Sequence, residues 1–438
     1  MGIAAPSWGR YPKVTQQHLL ALDNRHAAFP ELQGYALPRG NGRSYGDSCL
    51  NDGGTLLLAR GLDRFLSFDP ATGLLECEAG VLLSEILDLV TPQGWFLPVT
   101  PGTKFVTVGG AIANDVHGKN HHRVGSFGHH LDGFELLRSD GTRRWCSLAE
   151  HPEWFAATIG GLGLTGLISR VRLQLRRVAG PWMATESMRF RHLAEFFALS
   201  STPESEHEYT VAWIDCAARG SALGRGIFSR ANHAPAHPEH RPPAPARRPG
   251  VPFTPPLSLI NPLSLRVFNF AYFHKQPGDI VRSITHYDPF FYPLDGVGNW
   301  NRIYGPRGFL QYQCVVPPGD AETTIGKLMA LISGSGTGSF LAVLKQFGTR
   351  PSLGMLSFPR PGTTLALDFP NAGPATFTLL DRLDEIVGAA GGAVYPAKDA
   401  RMSSPHFKQY FPQWRAFGPF VDPALSSSFW RRVMEQAC

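Results

Sequence analysis

The chain has 438 residues, 43% hydrophobic and 17% charged, with a net charge of +6 and an isoelectric point near 9.0. That is a globular composition with mass for two domains. The charge excess is too mild to argue for nucleic acid; an anionic surface or a phosphorylated substrate fits it as well, and part of it sits at Arg241, Arg247 and Arg248.

No run of about 18 apolar residues exists, so no transmembrane helix is expected. The first residues do not read as a signal peptide. The cysteines (Cys49, Cys77, Cys146, Cys216, Cys314, Cys438) are scattered and form no C-x-x-C pair. Zinc ribbons and thioredoxin-like chemistry are therefore unexpected, and reduced thiols in the cytoplasm are the simplest setting.

Residues up to about 180 read as strands with short helices. The loop Arg39-Gly40-Asn41-Gly42-Arg43-Ser44-Tyr45-Gly46-Asp47 has G-x-G-x-x-x-G spacing. A dinucleotide fingerprint needs a helix directly after its glycines. Here Asn51, Asp52, Gly53 and Gly54 break any helix, so the loop stands free and its backbone N–H groups can form an anion nest. Ile86, Leu87 and Val90 predict a helix over 84–90, ended by Pro92 and Gly94. A second glycine-punctuated stretch runs from Pro101-Gly102-Thr103 through Val108-Gly109-Gly110 to His117-Gly118-Lys119-Asn120. Gly109 to Ala113 can open a helix whose first N–H groups face a phosphate.

His117, His121, His122, His129 and His130 crowd one window. Gly118 and the Asn-His-His run argue against a helix that would bring His117 and His121 onto one metal, and no glutamate completes a zincin pattern. No metal is expected; a loop of hydrogen-bonding side chains over a ligand is the preferred reading. A third small-residue patch, Gly160 to Gly166, precedes the alternating strand Val171 to Arg176. Three such patches in one strand-rich domain suggest one extended ligand.

Residues 231–256, rich in Pro, Ala, His and Arg, read as a mobile loop inside a domain, with a strand over 208–215 before it. The apolar stretch 256–273, interrupted by Asn261, Pro262 and Arg266, is expected to be buried, with a lipid-touching surface as the alternative. From 309 to 395 the order is β-α-β-β-α-β, a split βαβ arrangement. Period 2 groups Gln311 with Gln313, Leu341 with Val343, Lys345 and Phe347, and Thr364 with Ala366 and Asp368. These polar strand faces are either solvated or line a polar pocket.

These motifs resemble the flavin-binding domain of the vanillyl-alcohol oxidase superfamily, also called the p-cresol methylhydroxylase type. More narrowly, the chain is similar to the oxidase subunits of decaprenyl-phosphoryl-ribose 2′-epimerases. The resemblance covers nearly the whole chain. It includes Trp8-Gly9-Arg10, 42–47, 106–113 and His117-Gly118-Lys119-Asn120-His121-His122. It continues through 125–128, 163–166, 308–313 and Ala397-Lys398-Asp399. The histidine-containing run is its most specific part.

The resemblance implies an α+β, two-domain fold: an FAD-binding domain over 1–180, an antiparallel-sheet substrate domain over 181–390, and a segment 391–438 returning to the first. By motif matching, Arg39, Gly40, Asn41, Gly42, Arg43, Ser44, Tyr45, Gly46, Asp47, Ser48, Gly102, Thr107, Val108, Gly109, Gly110, Asn114, Asp115, Val116, His117, Ile168 and Tyr395 are expected to contact FAD. Phe291, Leu294, Gln311, Gln313, Lys345, Phe347, Thr364 and Ala366 are the implied substrate contacts, and Lys398, His117 and Tyr45 the catalytic group. Lys398 matches a lysine the family requires beside the flavin, as a base or as an electrostatic stabiliser; an ion pair with Asp399 or another carboxylate is its purely structural reading.

Many superfamily members bond FAD through a histidine in the first loop. Arg43 stands there in this chain and the second loop has no cysteine, so non-covalent FAD is expected. The family's Asn and Cys before Asp-Phe-Pro appear as Thr364 and Ala366, and its Tyr-His before Pro-Leu-Asp as Phe291-Tyr292. The cysteine is where the family's nitroaromatic covalent inhibitors attach, so such inhibition is expected to fail here. The implied reaction oxidises the 2′-hydroxyl of a polyprenyl-phospho-ribose, and a separate short-chain NAD(P)H reductase completes epimerisation. A soluble sugar or alditol oxidase on the same scaffold is the alternative. Peripheral contact with the inner membrane is compatible with either the substrate or the partner.

Overall fold

The computed structural model describes residues 4–201, 207–235, 237 and 249–434. The middle of the expected loop 231–256, with Arg241, Arg247 and Arg248, lies outside these residues, as does Cys438. The strand Gly226–Ala234 occupies the loop's expected beginning.

The first part of the chain builds small sheets. His18–Ala21, Thr55–Leu58 and Ala36–Arg39 pair in parallel. Five strands, in the order Phe65–Asp69, Leu74–Glu78, Leu167–Gln174, Leu131–Leu137 and Arg143–Cys146, form an antiparallel sheet. The expected helix is Leu83–Val90. It buries Leu83, Ile86, Leu87 and Val90, and the Glu85 carboxylate accepts from Leu82 N–H at 2.8 Å. Gly94, at φ +79°, turns the chain out of the following Thr91–Gln93 turn.

The second part is one eight-stranded antiparallel sheet. Its order is Ile280–His286, Trp182–Phe190, Gly226–Ala234, Tyr209–Ile214, Ala342–Phe347, Gly362–Pro370, Phe309–Val316 and Ala393–Val394. The β-α-β-β-α-β reading of 309–395 corresponds to its last four strands and the helices Ala321–Ser335 and Pro374–Ala389. Those helices bury Ile325, Leu328, Met329 and Ile332, and Leu379, Leu380, Leu383 and Val387. They cover the sheet face that carries Leu344, Leu365 and Leu367, forming one core. The other face looks toward the small sheets. This is the two-domain α+β architecture the resemblance implies.

After Ala393–Val394 the chain returns to its beginning. Leu425 bridges Ala36, and Arg432 pairs with Asp47 at 2.8 Å and Asp399 at 2.9 Å.

Burial of 256–273 is the expectation the structure overturns. Pro262–His274 is a helix that buries only Leu265, Asn269 and Phe273. These positions lie four apart, a stripe too narrow to hide a helix apolar on every side. Asn269 anchors it, donating to Asp215 at 2.8 Å.

Candidate active site

A cavity of about 350 Å³ lies between the small sheets and the large one. One wall is loop backbone. The first glycine loop leaves the strand Ala36–Arg39 and packs on Thr107; a Cβ on Gly40 would lie 2.2 Å from the Thr107 hydroxyl. Gly42, at φ +61°, reverses the chain there. Tyr45 N–H donates to Ala397 O at 3.0 Å and ties the loop to the C-terminal segment. Among the described residues, the backbone N–H groups of Asn41, Gly42, Arg43 and Ser44 meet no protein acceptor. Asn41 is exposed and Gly42, Arg43 and Ser44 are half-buried, and all four line the cavity, so their N–H groups are free to meet a ligand there.

The helix Val108–Ala113 forms as expected, but its first N–H groups do not point at an anion. Val108 donates to Val81 O (2.8 Å), Gly109 to Ala79 O (2.8 Å) and Gly110 to the Thr107 hydroxyl (3.1 Å). An adjacent strand end has taken the donors. The glycines instead allow close approach, Gly109 to Ala79 on one side and Gly110 to the cavity on the other.

The second wall is sheet. Strand register sets Gln311 opposite Asp368, Gln313 opposite Ala366, Ala366 opposite Val343 and Lys345 opposite Thr364. The period-2 faces thus become one polar surface, and of the two readings the pocket is correct. Gln311 donates to Asp368 at 2.7 Å, as does the Tyr304 hydroxyl at 3.3 Å. Gln313 donates to His117 Nε2 at 2.9 Å and to Thr364 at 3.3 Å. His117 Nε2 is then an acceptor, which leaves the imidazole proton on Nδ1. That atom is buried and has no partner.

Four cationic or protonatable nitrogens share this wall. Burial lowers Lys345 to about 8. Burial, with repulsion from Lys345, lowers Lys119 to about 7. Burial brings Lys398 to about 7, against the attraction of Asp368. Burial first, then Lys345, holds His117 well below its ordinary value, so it is neutral. Burial raises the Asp368 carboxyl to about 6, opposed by Gln311 and Lys398. Lys345 and Lys398 have no carboxylate within 4.0 Å among the described residues. Lys398 Nζ lies 3.9 Å from the centre of the Tyr45 ring. Asp399 is bound by Arg432 instead, so the Lys398–Asp399 ion pair does not form.

Of the residues read from sequence, Arg39, Gly40, Asn41, Gly42, Arg43, Ser44, Tyr45, Ser48, Gly102, Thr107, Gly109, Gly110, Asn114, Val116, His117, Ile168 and Tyr395 line the cavity. So do Phe291, Leu294, Gln311, Gln313, Lys345, Ala366 and Lys398. The rest stand behind the wall. A Cβ on Gly46 would lie 1.6 Å from Asp399 O. Asp47 is held by Arg432, Val108 is core, and Asp115 accepts from Ser357 (2.6 Å) and Gly128 (3.0 Å). Phe347 meets the His117 ring edge-on at 4.8 Å, and Thr364 receives Gln313.

The histidine window contributes only His117 to the lining. His121 accepts from Gly348 N–H, and His129 and His130 bond to Pro351 O and Val124 O. His121 also opens a one-turn helix, His121–Val124.

Lys119, Asp295, Trp300 and Asp368 also line the cavity and Tyr304 bonds to Asp368, none of them among the expected site residues. Asp368 lay on a face already sorted by period 2, and Lys119 inside the most specific motif. Nothing near Trp300 or Tyr304 signals a site.

Residues 30–147 match a family described as an FAD binding domain. A decaprenylphosphoryl-β-D-ribose oxidase of Mycolicibacterium smegmatis is 37% identical over 91% of this chain and 88% of its own length. The chain belongs to that oxidase's family of FAD-dependent flavoproteins. An uncharacterized protein in the mprA 5′ region of Streptomyces coelicolor is 36% identical over 81% of this chain and the whole of its own. A probable mitochondrial D-2-hydroxyglutarate dehydrogenase of rice is 28% identical over 32% of this chain and 27% of its own. The site fits the family's cofactor. The open N–H run of Asn41 to Ser44 and the orphaned His117 Nδ1 proton are donors for a ligand rich in phosphate and carbonyl oxygens, as FAD is.

Proposed function

We propose that the chain oxidises the 2′-hydroxyl of a polyprenyl-phospho-ribose to a ketone, the first half of epimerisation to the arabinose form. The observation that carries this reading is the sheet wall. Gln311 and Gln313 are amides suited to sugar hydroxyls, and Lys345 is a buried cation with no carboxylate beside it, suited to a phosphate. The name of the 37%-identical Mycolicibacterium relative supports the same substrate.

The chain divides into an FAD-binding domain over 1–180, a substrate domain over 181–390 and a returning segment 391–438. FAD supplies the hydride acceptor when bound. Lys398, lowered to about 7, is divided between amine and ammonium at neutral pH and mostly amine above it, and the amine takes the hydroxyl proton. Asp368 lies near enough to favour the ammonium that results. Tyr45, kept neutral by burial, forms the face against which Lys398 rests. His117, neutral and fixed by Gln313, presents its Nδ1 proton as a donor.

FAD is held non-covalently. Arg43 stands where relatives carry a linking histidine, and its guanidinium lies 4.1 Å from the Trp8 ring. Acid denaturation followed by washing should therefore leave a colourless protein. The keto product requires a hydride donor, which we assign to a separate short-chain NAD(P)H reductase. The protein works in the cytoplasm, peripheral to the inner membrane that holds its substrate; no helix among the described residues is long and apolar enough to cross it.

Anaerobic flavin bleaching tests the reading. Polyprenyl-phospho-ribose should bleach the flavin and free ribose and alditols should not. Bleaching by free sugars or alditols alone would make the protein a soluble sugar oxidase.

A further inference from the structure

The segment 253–270 turns an apolar surface outward. Leu257 is 77% exposed, Leu263 72%, Phe253 68%, Val267 61%, Phe270 59% and Leu259 52%. Scattered exposed leucines are ordinary, but six large apolar side chains within eighteen residues are not. The helix Pro262–His274 is capped firmly: Asn261 accepts from Leu263 and Ser264 N–H at 3.1 and 3.0 Å. It is a formed element, and its outward face (Leu263, Val267, Phe270) is the one an amphipathic helix of a water-facing protein would make polar.

Charge narrows the choice of partner. Between Pro249 and Gly278 there is no Asp or Glu, while Arg266 and Lys275 are both exposed. A segment that joins an apolar face to cations and carries no carboxylate of its own is complementary to an anionic bilayer surface. The inner side of the same segment reaches the active site. Ile260 packs with Trp300, Tyr304 and Phe309, against Trp8, Tyr45 and Leu294. Phe268 stacks on Phe340 at 4.4 Å, next to Leu341 of the cavity wall.

We propose that segment 253–270, centred on the exposed face of the helix Pro262–His274, is a docking surface for an anionic lipid bilayer and sets the cavity against the membrane. The choice of a bilayer over a protein partner rests on the lipid-linked substrate proposed above. A substrate anchored in a membrane by its chain can reach the cavity without leaving the bilayer only if the cavity's own rim touches lipid.

Co-sedimentation of the FAD-loaded full chain with vesicles tests this. Vesicles of phosphatidylglycerol and phosphatidylcholine should pellet the protein, and phosphatidylcholine alone should pellet less. The triple variant Leu263→Glu, Val267→Glu, Phe270→Glu should lose about tenfold or more in partitioning. Leu148→Glu, at an exposed leucine elsewhere, should change nothing. Flavin absorbance and sedimentation velocity report on folding and assembly in each preparation.

The proposal is overturned if the wild-type protein stays in the supernatant with both lipids, or if the folded triple variant pellets as well as wild type. It is equally overturned if the wild type is a dimer that the triple variant splits and that ignores vesicles, for the surface is then covered by a second copy. Flavin bleaching by polyprenyl-phospho-ribose in detergent, read on the same samples, separates the two claims. Bleaching without vesicle binding removes the docking surface and leaves the reaction. Vesicle binding without bleaching removes the reaction and supports the surface.

Discussion

The two walls of the cavity are made of different material. The loop wall offers backbone: the open N–H groups of Asn41 to Ser44, and glycines that let the chain approach closely. The sheet wall offers side chains: Gln311, Gln313, Asp368, Lys345 and Lys398, set in rows by strand register and the returning C-terminal segment. A backbone wall tolerates changes of side chain and fails when the chain cannot take its path. A side-chain wall keeps its shape and loses function one residue at a time. The first therefore suits a cofactor common to a broad family, and the second a particular substrate.

Substitutions can separate the walls. The largest effect belongs to the sheet wall. Lys398→Ala should slow flavin reduction by substrate about a thousandfold or more while FAD stays bound, as read by stopped-flow absorbance. Near-normal reduction would end its assignment. On the loop wall, Gly42→Ala forces an alanine to φ +61°. That should weaken FAD binding by about tenfold, from roughly 1–2 kcal/mol of backbone strain, with little change in the reduction rate of the loaded enzyme.

Gln313→Ala removes the amide that fixes the His117 tautomer. A loss of about tenfold in reduction rate, with FAD affinity unchanged, is expected from one such hydrogen bond. The smallest effect is one of pH. With Lys398 acting as the amine, reduction should rise with pH through about 7 and level above it. Asp368 holds the Lys398 value up, so Asp368→Asn should move that rise to lower pH. A rate that falls as pH rises through 7 would instead make the ammonium the active form.

The walls also differ in how far the sequence discloses them. Glycine spacing marks the loop wall because a tight turn at Gly42 needs a residue free of a Cβ. It does not say which N–H groups remain open. The helix after Thr107 reads as an anion site, yet Ala79 O and Val81 O, far back in the chain, take its donors. Asp47 belongs to the first loop's motif, yet it serves Arg432 at the other end of the chain.

Period 2 places Gln311, Gln313, Lys345 and Asp368 on common strand faces, but only register between strands joins them into one surface. Trp300 and Tyr304 enter the site through tertiary packing alone. The helix Pro262–His274 shows the converse. Its apolar content predicts burial, and only the packed structure shows that three residues of it suffice to hold it while the rest faces outward.

The most direct test of the reaction proposed here is anaerobic stopped-flow absorbance of the FAD-loaded protein mixed with polyprenyl-phospho-ribose, free ribose or an alditol. Bleaching by the polyprenyl-phosphate-linked sugar alone is expected, abolished in Lys398→Ala with FAD still bound. Equal bleaching by free ribose or the alditol, or none by polyprenyl-phospho-ribose, would contradict it.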